Sequence, residues 1–173
     1  EGWRAAGAEI GTFSPLADEP PDAAADAVYL PGGYPELHAG LLAGNHRFLD
    51  GLRQAAECAT VFGECGGYMV MGEGLIDADG ARHAMAGLLP LETSFAARRL
   101  HLGYRRAALC SDGPLGPAGT PFRGHEFHFA LTLREGPGEP LFRCENASGD
   151  ALGTTGLASG RTIGSFIHLI DRA

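Results

Sequence analysis

A chain of 173 residues, with 45% hydrophobic and 20% charged side chains, has the balance of one folded domain with a buried core. Its net charge of −8, without a basic cluster, argues against a nucleic-acid partner. No apolar run is long enough to span a membrane or to serve as a secretory signal.

All 13 cationic side chains are arginine, so a Walker-type phosphate loop, which requires lysine, is excluded from this chain. Cys58, Cys65, Cys110 and Cys144 are widely spaced and form no C-x-x-C pair. Neither a disulfide framework nor a structural zinc site is expected, and the usage fits a reducing cytoplasm.

The chain opens without Met at Glu1-Gly2-Trp3-Arg4-Ala5-Ala6-Gly7, which reads as the end of a helix closed by Gly7. A piece of a longer polypeptide is expected. Ala8–Phe13 has the pattern of a short strand, and the Pro- and Asp-rich stretch Ser14–Ala25 that of a loop. Ala27–Leu30 is a short apolar run ending at Pro31-Gly32-Gly33, as in a buried parallel strand.

A helix is predicted from Pro35 to Ala43. A second is predicted after Asn45 as N-cap, with Phe48, Leu49, Leu52, Ala55 and Ala56 on its apolar face. Ala59–Phe62 is the next strand, followed at once by Gly63-Glu64-Cys65-Gly66-Gly67 and a short apolar helix around Tyr68–Met71. This alternation is doubly wound α/β grammar. Past Leu75 the grammar changes, and Met85–Leu91, Arg98–Ala108, Phe122–Leu133 and Thr162–Leu169 read as antiparallel strands added to a parallel core.

Cys65 sits where a nucleophile elbow would present it, with Gly63, Gly66 and Gly67 permitting a strained turn. A following helix would aim its N-terminal amides at the sulfur and favour thiolate. The N–H of Gly66 would face a tetrahedral oxyanion. A buried structural cysteine in a Gly-rich turn is the competing reading. The Gly32–Gly33 turn, at the carboxyl end of its own strand, is placed to add a second oxyanion donor, although alone it is an ordinary βα turn. Cys58, Cys110 and Cys144 lack such surroundings and read as packing thiols.

A cysteine nucleophile needs a base, usually His. Of the seven histidines, His46 and His83 lie in polar stretches and read as surface residues. His168 lies in the apolar run Phe166–Ile170, where its ring needs a partner, and a satisfied core histidine is the alternative. In His125-Glu126-Phe127-His128, strand alternation sends the candidate ligands to opposite faces, so no metal is expected there.

Several stretches together resemble one family. They are Leu30-Pro31-Gly32-Gly33-Tyr34-Pro35-Glu36-Leu37-His38, Gly63-Glu64-Cys65-Gly66-Gly67-Tyr68-Met69, His101-Leu102-Gly103-Tyr104-Arg105, Arg123–His128 and Gly164–Leu169. In order and spacing they are similar to the C-terminal glutamine amidotransferase domain of cobyrinic or hydrogenobyrinic acid a,c-diamide synthases. The resemblance implies a flavodoxin-like, class I glutamine amidotransferase fold over residues 1–173, truncated at its N-terminus, with Cys65 as nucleophile and His168 as its partner.

The resemblance also implies an upstream synthetase domain using ATP and Mg, which would activate the a and c acetate side chains of a corrin for amidation in cobalamin biosynthesis. No cofactor is expected in the glutaminase domain itself. Its partners would be glutamine and, through the synthetase domain, the corrin; a homodimeric full-length enzyme is compatible with this reading. Tyr34 and Glu36 would border the glutamine pocket, and a helix-N-terminal position explains Glu36 equally well. Triad-bearing class I members carry His-x-Glu, whereas Ile170 stands two residues after His168, so a Cys–His dyad is implied. The readings left beside this one are another cysteine hydrolase on the same scaffold and a non-catalytic binding module.

Overall fold

The computed structural model describes residues 2–173; Glu1, where the expected opening helix began, lies outside them. Helix α1 (Gly2–Ala5) is followed by Gly7 at a φ of 91°, the left-handed stop expected from its position. Then come strand β1 (Ala27–Leu30), helix α2 (Ala39–Gly44), helix α3 (His46–Cys58), strand β2 (Thr60–Glu64) and helix α4 (Gly66–Met71). Three short strands follow, β3 (Gly74–Ile76), β4 (Arg82–Ala84) and β5 (Leu91–Ser94). Longer ones succeed them: β6 (His101–Leu109), β7 (Pro121–His128), β8 (Leu131–Glu135), β9 (Glu139–Glu145) and β10 (Ala151–Ser159). The chain closes with β11 (Thr162–Ser165) and β12 (Ile167–Arg172).

Among the described residues these strands form an eight-stranded sheet in the order β1-β2-β11-β10-β9-β6-β7-β12 and a four-stranded sheet β4-β3-β5-β8. The doubly wound α/β grammar holds at one end, where β1, β2 and β11 run parallel. Beyond β11 the additions are antiparallel. The large sheet curls until β12, last in its order, reaches β2 again: the Leu169 N–H donates to Glu64 Oε1 at 3.0 Å. One apolar core lies between the helices, the parallel strands and the small sheet, built on Phe48, Leu52, Val61, Tyr68 and Leu91. A second, around Phe142, Ile163 and Ile167, fills the curl.

Helix α3 buries Phe48, Leu49, Leu52 and Ala55 on one stripe, as its spacing predicts. Burial of each large apolar side chain is worth about 1.5–3 kcal/mol. Asn45 occupies the N-cap position but does not cap. Its Nδ2 donates to the Pro15 carbonyl at 2.7 Å, and Asp18 Oδ1 accepts the Phe48 N–H at 2.8 Å instead.

Several elements differ from the sequence reading. Ala8–Phe13 forms no strand; it finds no ladder partner among the described residues, and Phe13 packs on Phe48 at 6.2 Å. The helix expected from Pro35 to Ala43 is broken at His38 into a 3-10 turn and α2. Met85–Leu89 is a loop, because its amides are spent on α4: Ala86 N–H on Val70 O, Gly87 N–H on Gly72 O and Leu88 N–H on Met71 O. These bonds satisfy carbonyls that a helix end leaves without partners.

Two expected single strands are each divided in two. Phe122–Leu133 becomes β7 in the large sheet and β8 in the small one, with Ala130 fully buried at the crossing. Thr162–Leu169 becomes β11 and β12, separated by Phe166, where the Ile167 N–H turns back onto Ser165 Oγ at 3.1 Å. β11 pairs with β2, whereas β12 pairs with β7. That switch carries His168 across the mouth of the parallel strands.

Candidate active site

The chain reverses so sharply after β2 that Cys65 takes φ 49° and ψ −104°, a region costly for any residue with a Cβ. The turn is held by Cys65 N–H to Ser165 O at 2.9 Å and Gly67 N–H to Pro31 O at 3.1 Å. Glycine at 66 is a requirement of contact: a Cβ there would lie 2.7 Å from Gly33 N and 2.8 Å from Gly33 O. The two Gly-rich turns named from sequence therefore touch. The Gly66 N–H faces the sulfur, and among the described residues the amides of Gly32 and Gly33 have no backbone carbonyl partner.

Cys65 is buried, and its thiol reaches the Phe127 carbonyl at 3.7 Å. Burial pushes its pKa up to about 11; the Gly66 N–H works against this, while Glu36, Glu64 and Glu126 add to it. The shift runs against the thiolate expected from the helix end: burial and the nearby carboxylates outweigh the Gly66 N–H.

The His168 ring lies over Gly32, where a Cβ would stand 2.6 Å from Cε1. It stacks on His125, its register partner in β7, at 4.8 Å and 9°. Burial first, then the neighbouring His125 and His128, lower its pKa, while Glu64 works the other way.

Of the other residues singled out from sequence, Glu36 begins a 3-10 turn beneath the site; its Oε2 is buried with no hydrogen-bond partner among the described residues. Burial raises its pKa, with Arg98 and His38 opposing. Tyr34 is 69% exposed, so its ring stands at the rim. Asp171 pairs with Arg123 at 3.3 Å, away from His168. His83, read as a surface residue, is half-buried and bonded to Asp77 at 2.7 Å. Cys58, read as a packing thiol, is exposed.

The alternation read in 125–128 holds, but β6 adds a third residue to the inner face. His101, Glu126 and His128 bring ligand-type atoms within 4.8 Å of one another. Their geometry suits a polar network better than an ion. The His101 and His128 rings are stacked 4.6 Å apart at 3°, and rings in parallel planes cannot both aim lone pairs at one point. Glu126 instead bridges His128 Nε2 at 2.9 Å and the Arg105 guanidinium at 2.7 Å. Burial raises its pKa, but those two partners win and hold it at about 2.

Sequence reasoning missed Glu64. It is buried at the end of an otherwise apolar strand, where it accepts hydrogen bonds from Tyr29 OH at 2.6 Å and Leu169 N–H at 3.0 Å. Its Oε2 lies 4.0 Å from His168 Nδ1. The signal was present, since a carboxylate closing a buried strand must have partners.

A cysteine elbow at the end of a parallel strand, with a histidine from a late strand lying over the neighbouring Gly32 turn, is the arrangement of a class I glutamine amidotransferase-like fold. A solved structure described as a glutamine amidotransferase superposes with a TM-score of 0.52 at 19% identity, covering 83% of this chain and 70% of that one. The chain belongs to the CobB/CobQ-like glutamine amidotransferase domain family, which it matches over residues 3–172. It is 59% identical over 177 residues to a hydrogenobyrinate a,c-diamide synthase of Sinorhizobium sp, covering 99% of this chain and 39% of that protein. To a protein of the same name from Rhodobacter capsulatus it is 55% identical over 170 residues, 98% of this chain and 39% of the relative. The chain thus spans about two fifths of the length of these relatives.

Proposed function

We propose that this chain is the ammonia-producing part of a glutamine-dependent ligase of the hydrogenobyrinate a,c-diamide synthase type. The observation that carries the reading is the contact of the two Gly-rich turns, which brings the Cys65 elbow against the Gly32–Gly33 turn that the His168 ring overlies. Its support is the identity of 59% to a relative so named.

In this mechanism His168 takes the thiol proton as Cys65 Sγ attacks the glutamine carboxamide carbon. The oxyanion forms against the N–H of Gly66 and the Gly32–Gly33 turn. His168 then returns the proton to the departing nitrogen, the C–N bond breaks, and ammonia leaves a γ-glutamyl thioester on Cys65. Water, deprotonated by His168, hydrolyses the thioester to glutamate and restores the thiol. The unpartnered Oε2 of Glu36 gives the pocket a hydrogen-bond acceptor for the α-ammonium of glutamine. Tyr34 closes the rim.

A Walker-type phosphate loop needs lysine, which this chain lacks, so ATP chemistry of that kind is assigned to another part of the full-length protein. Acyl-phosphate formation on the a and c carboxylates belongs to the rest of the full-length protein, with Mg and the corrin. No helix here is long and apolar enough to cross a membrane. A cytoplasmic setting agrees with four free cysteines.

The deciding experiment measures ammonia release from glutamine by the full-length protein, wild type and Cys65→Ala, with and without ATP and the corrin acid. Loss of glutamine use in the variant, with amidation restored by added ammonium, supports the assignment. Undiminished glutamine use by Cys65→Ala overturns it.

A further inference from the structure

The class I pattern of His-x-Glu is missing here, because Ile170 stands where the acid would be and is 61% exposed. A histidine that must accept a proton in a half-buried site still needs something to fix its tautomer and stabilise the imidazolium. The groups that face His168 can be named from each element around it. β7 contributes His125, stacked on the ring, and His128 nearby. The Gly32 turn contributes only backbone. β2 contributes Glu64, the one acidic group among those acting on the ring.

We propose that Glu64 is the positioning residue for His168, taking from the residue before the nucleophile the task that His-x-Glu performs elsewhere. This rests on the reading of Cys65 and His168 as a glutaminase pair. Three observations carry it. Glu64 is only 6% exposed, so its charge acts in a poorly screened setting. Its Oε2 is 4.0 Å from His168 Nδ1, ion-pair range, which protonation of the ring would shorten. Its other oxygen accepts the Leu169 N–H, so the same carboxylate grips the backbone next to the base and sets where the ring stands.

Tyr29 completes the device. Its hydroxyl donates to Oε2 at 2.6 Å, the oxygen that faces the histidine. Burial, then the hydrogen bond and charge of Glu64, raise the phenol's pKa well above the ordinary range, so Tyr29 remains a donor. It draws acceptor strength away from His168 and thereby tempers the imidazolium. Nδ1–H directed at Glu64 leaves Nε2 as the working nitrogen.

The test is glutamate release by the full-length protein against pH, giving kcat and KM, for wild type, Glu64→Gln, Tyr29→Phe and Cys65→Ala. Glu64→Gln keeps an acceptor for Leu169 and removes the charge. Its kcat is expected to fall about 10- to 100-fold with KM for glutamine within about twofold, and the acid limb of kcat/KM to move to lower pH. Tyr29→Phe is expected to move that limb to higher pH, because the carboxylate is then free for His168 alone. Opposite shifts are a signature that a merely structural role does not produce. An unmoved acid limb in Glu64→Gln, or shifts of the same sign in both variants, overturns the proposal while leaving Cys65 in place. If Glu64→Gln does not fold, as judged by circular dichroism, Tyr29→Phe decides: an upward shift supports the role and an unmoved limb ends it. Full glutamine turnover by Cys65→Ala removes both this inference and the reading beneath it.

Discussion

The His168 ring rests on the Cα of Gly32, so closely that a methyl there would stand 2.6 Å from its Cε1. The ring and the Gly32 turn, base and oxyanion donor in the proposed mechanism, are therefore fitted against each other, and three neighbouring glycines should respond differently to alanine. Gly32→Ala displaces His168, and Gly66→Ala drives the two turns apart through Gly33. Each should cost at least about a hundredfold in kcat for glutamine hydrolysis. Gly33→Ala meets nothing within 4 Å and should retain activity within a few fold. Steady-state glutamate release from the three full-length variants checks this ranking.

Alkylation reports the resting state of the nucleophile. With its pKa at about 11, Cys65 should react slowly with iodoacetamide at neutral pH, and faster as pH rises toward that value. Glu36→Gln removes one of the carboxylates that raise it, so the rate at neutral pH should increase. Peptide mapping by mass spectrometry separates Cys65 from the exposed Cys58.

Acid stability should carry the mark of Glu126. Its folded pKa, about 2, lies below the ordinary glutamate value of 4.5. Its contribution is then fully present above about pH 4.5 and fades as pH falls toward 2. Thermal melts of wild type and Glu126→Gln should differ most near neutrality and converge toward pH 2. A gap that stays constant with pH would show that the Arg105–Glu126–His128 network stabilises through packing rather than charge.

Helix α3 is capped from outside itself. Asp18→Ala should remove the acceptor for the Phe48 N–H and cost about 1 kcal/mol, a few degrees in melting temperature. Asn45→Ala should act instead through the lost bond to Pro15.

The parts of this molecule that sequence reveals are those whose rules are local. A four-residue apolar run before Pro-Gly-Gly, a helical stripe from Phe48 to Ala55 and glycines around a cysteine each name their own conformation. They yielded β1, α3, the Cys65 elbow and the Gly32–Gly33 turn. What depends on a distant partner did not show. β10 was missed because Gly153 and Gly156 interrupt its pattern, and β9 because it is held by its partners β10 and β6 rather than by propensity. The break at Phe129 lies inside an apolar run with no turn residue to betray it, and at Phe166 the adjoining Gly164-Ser165 read as strand because β11 is itself extended. Asp18 capping α3 across 30 residues, and Glu64 reaching across to the backbone of Leu169, are likewise matters of tertiary structure.

The switch at Phe166 makes the site depend on two ladders at once. Cys65 follows β2, which is paired with β1 and β11, whereas His168 lies on β12, which is paired with β7. In the proposed mechanism neither ladder alone supplies both residues, so a variant that frees β12 from β7 would keep the elbow and lose glutamine hydrolysis.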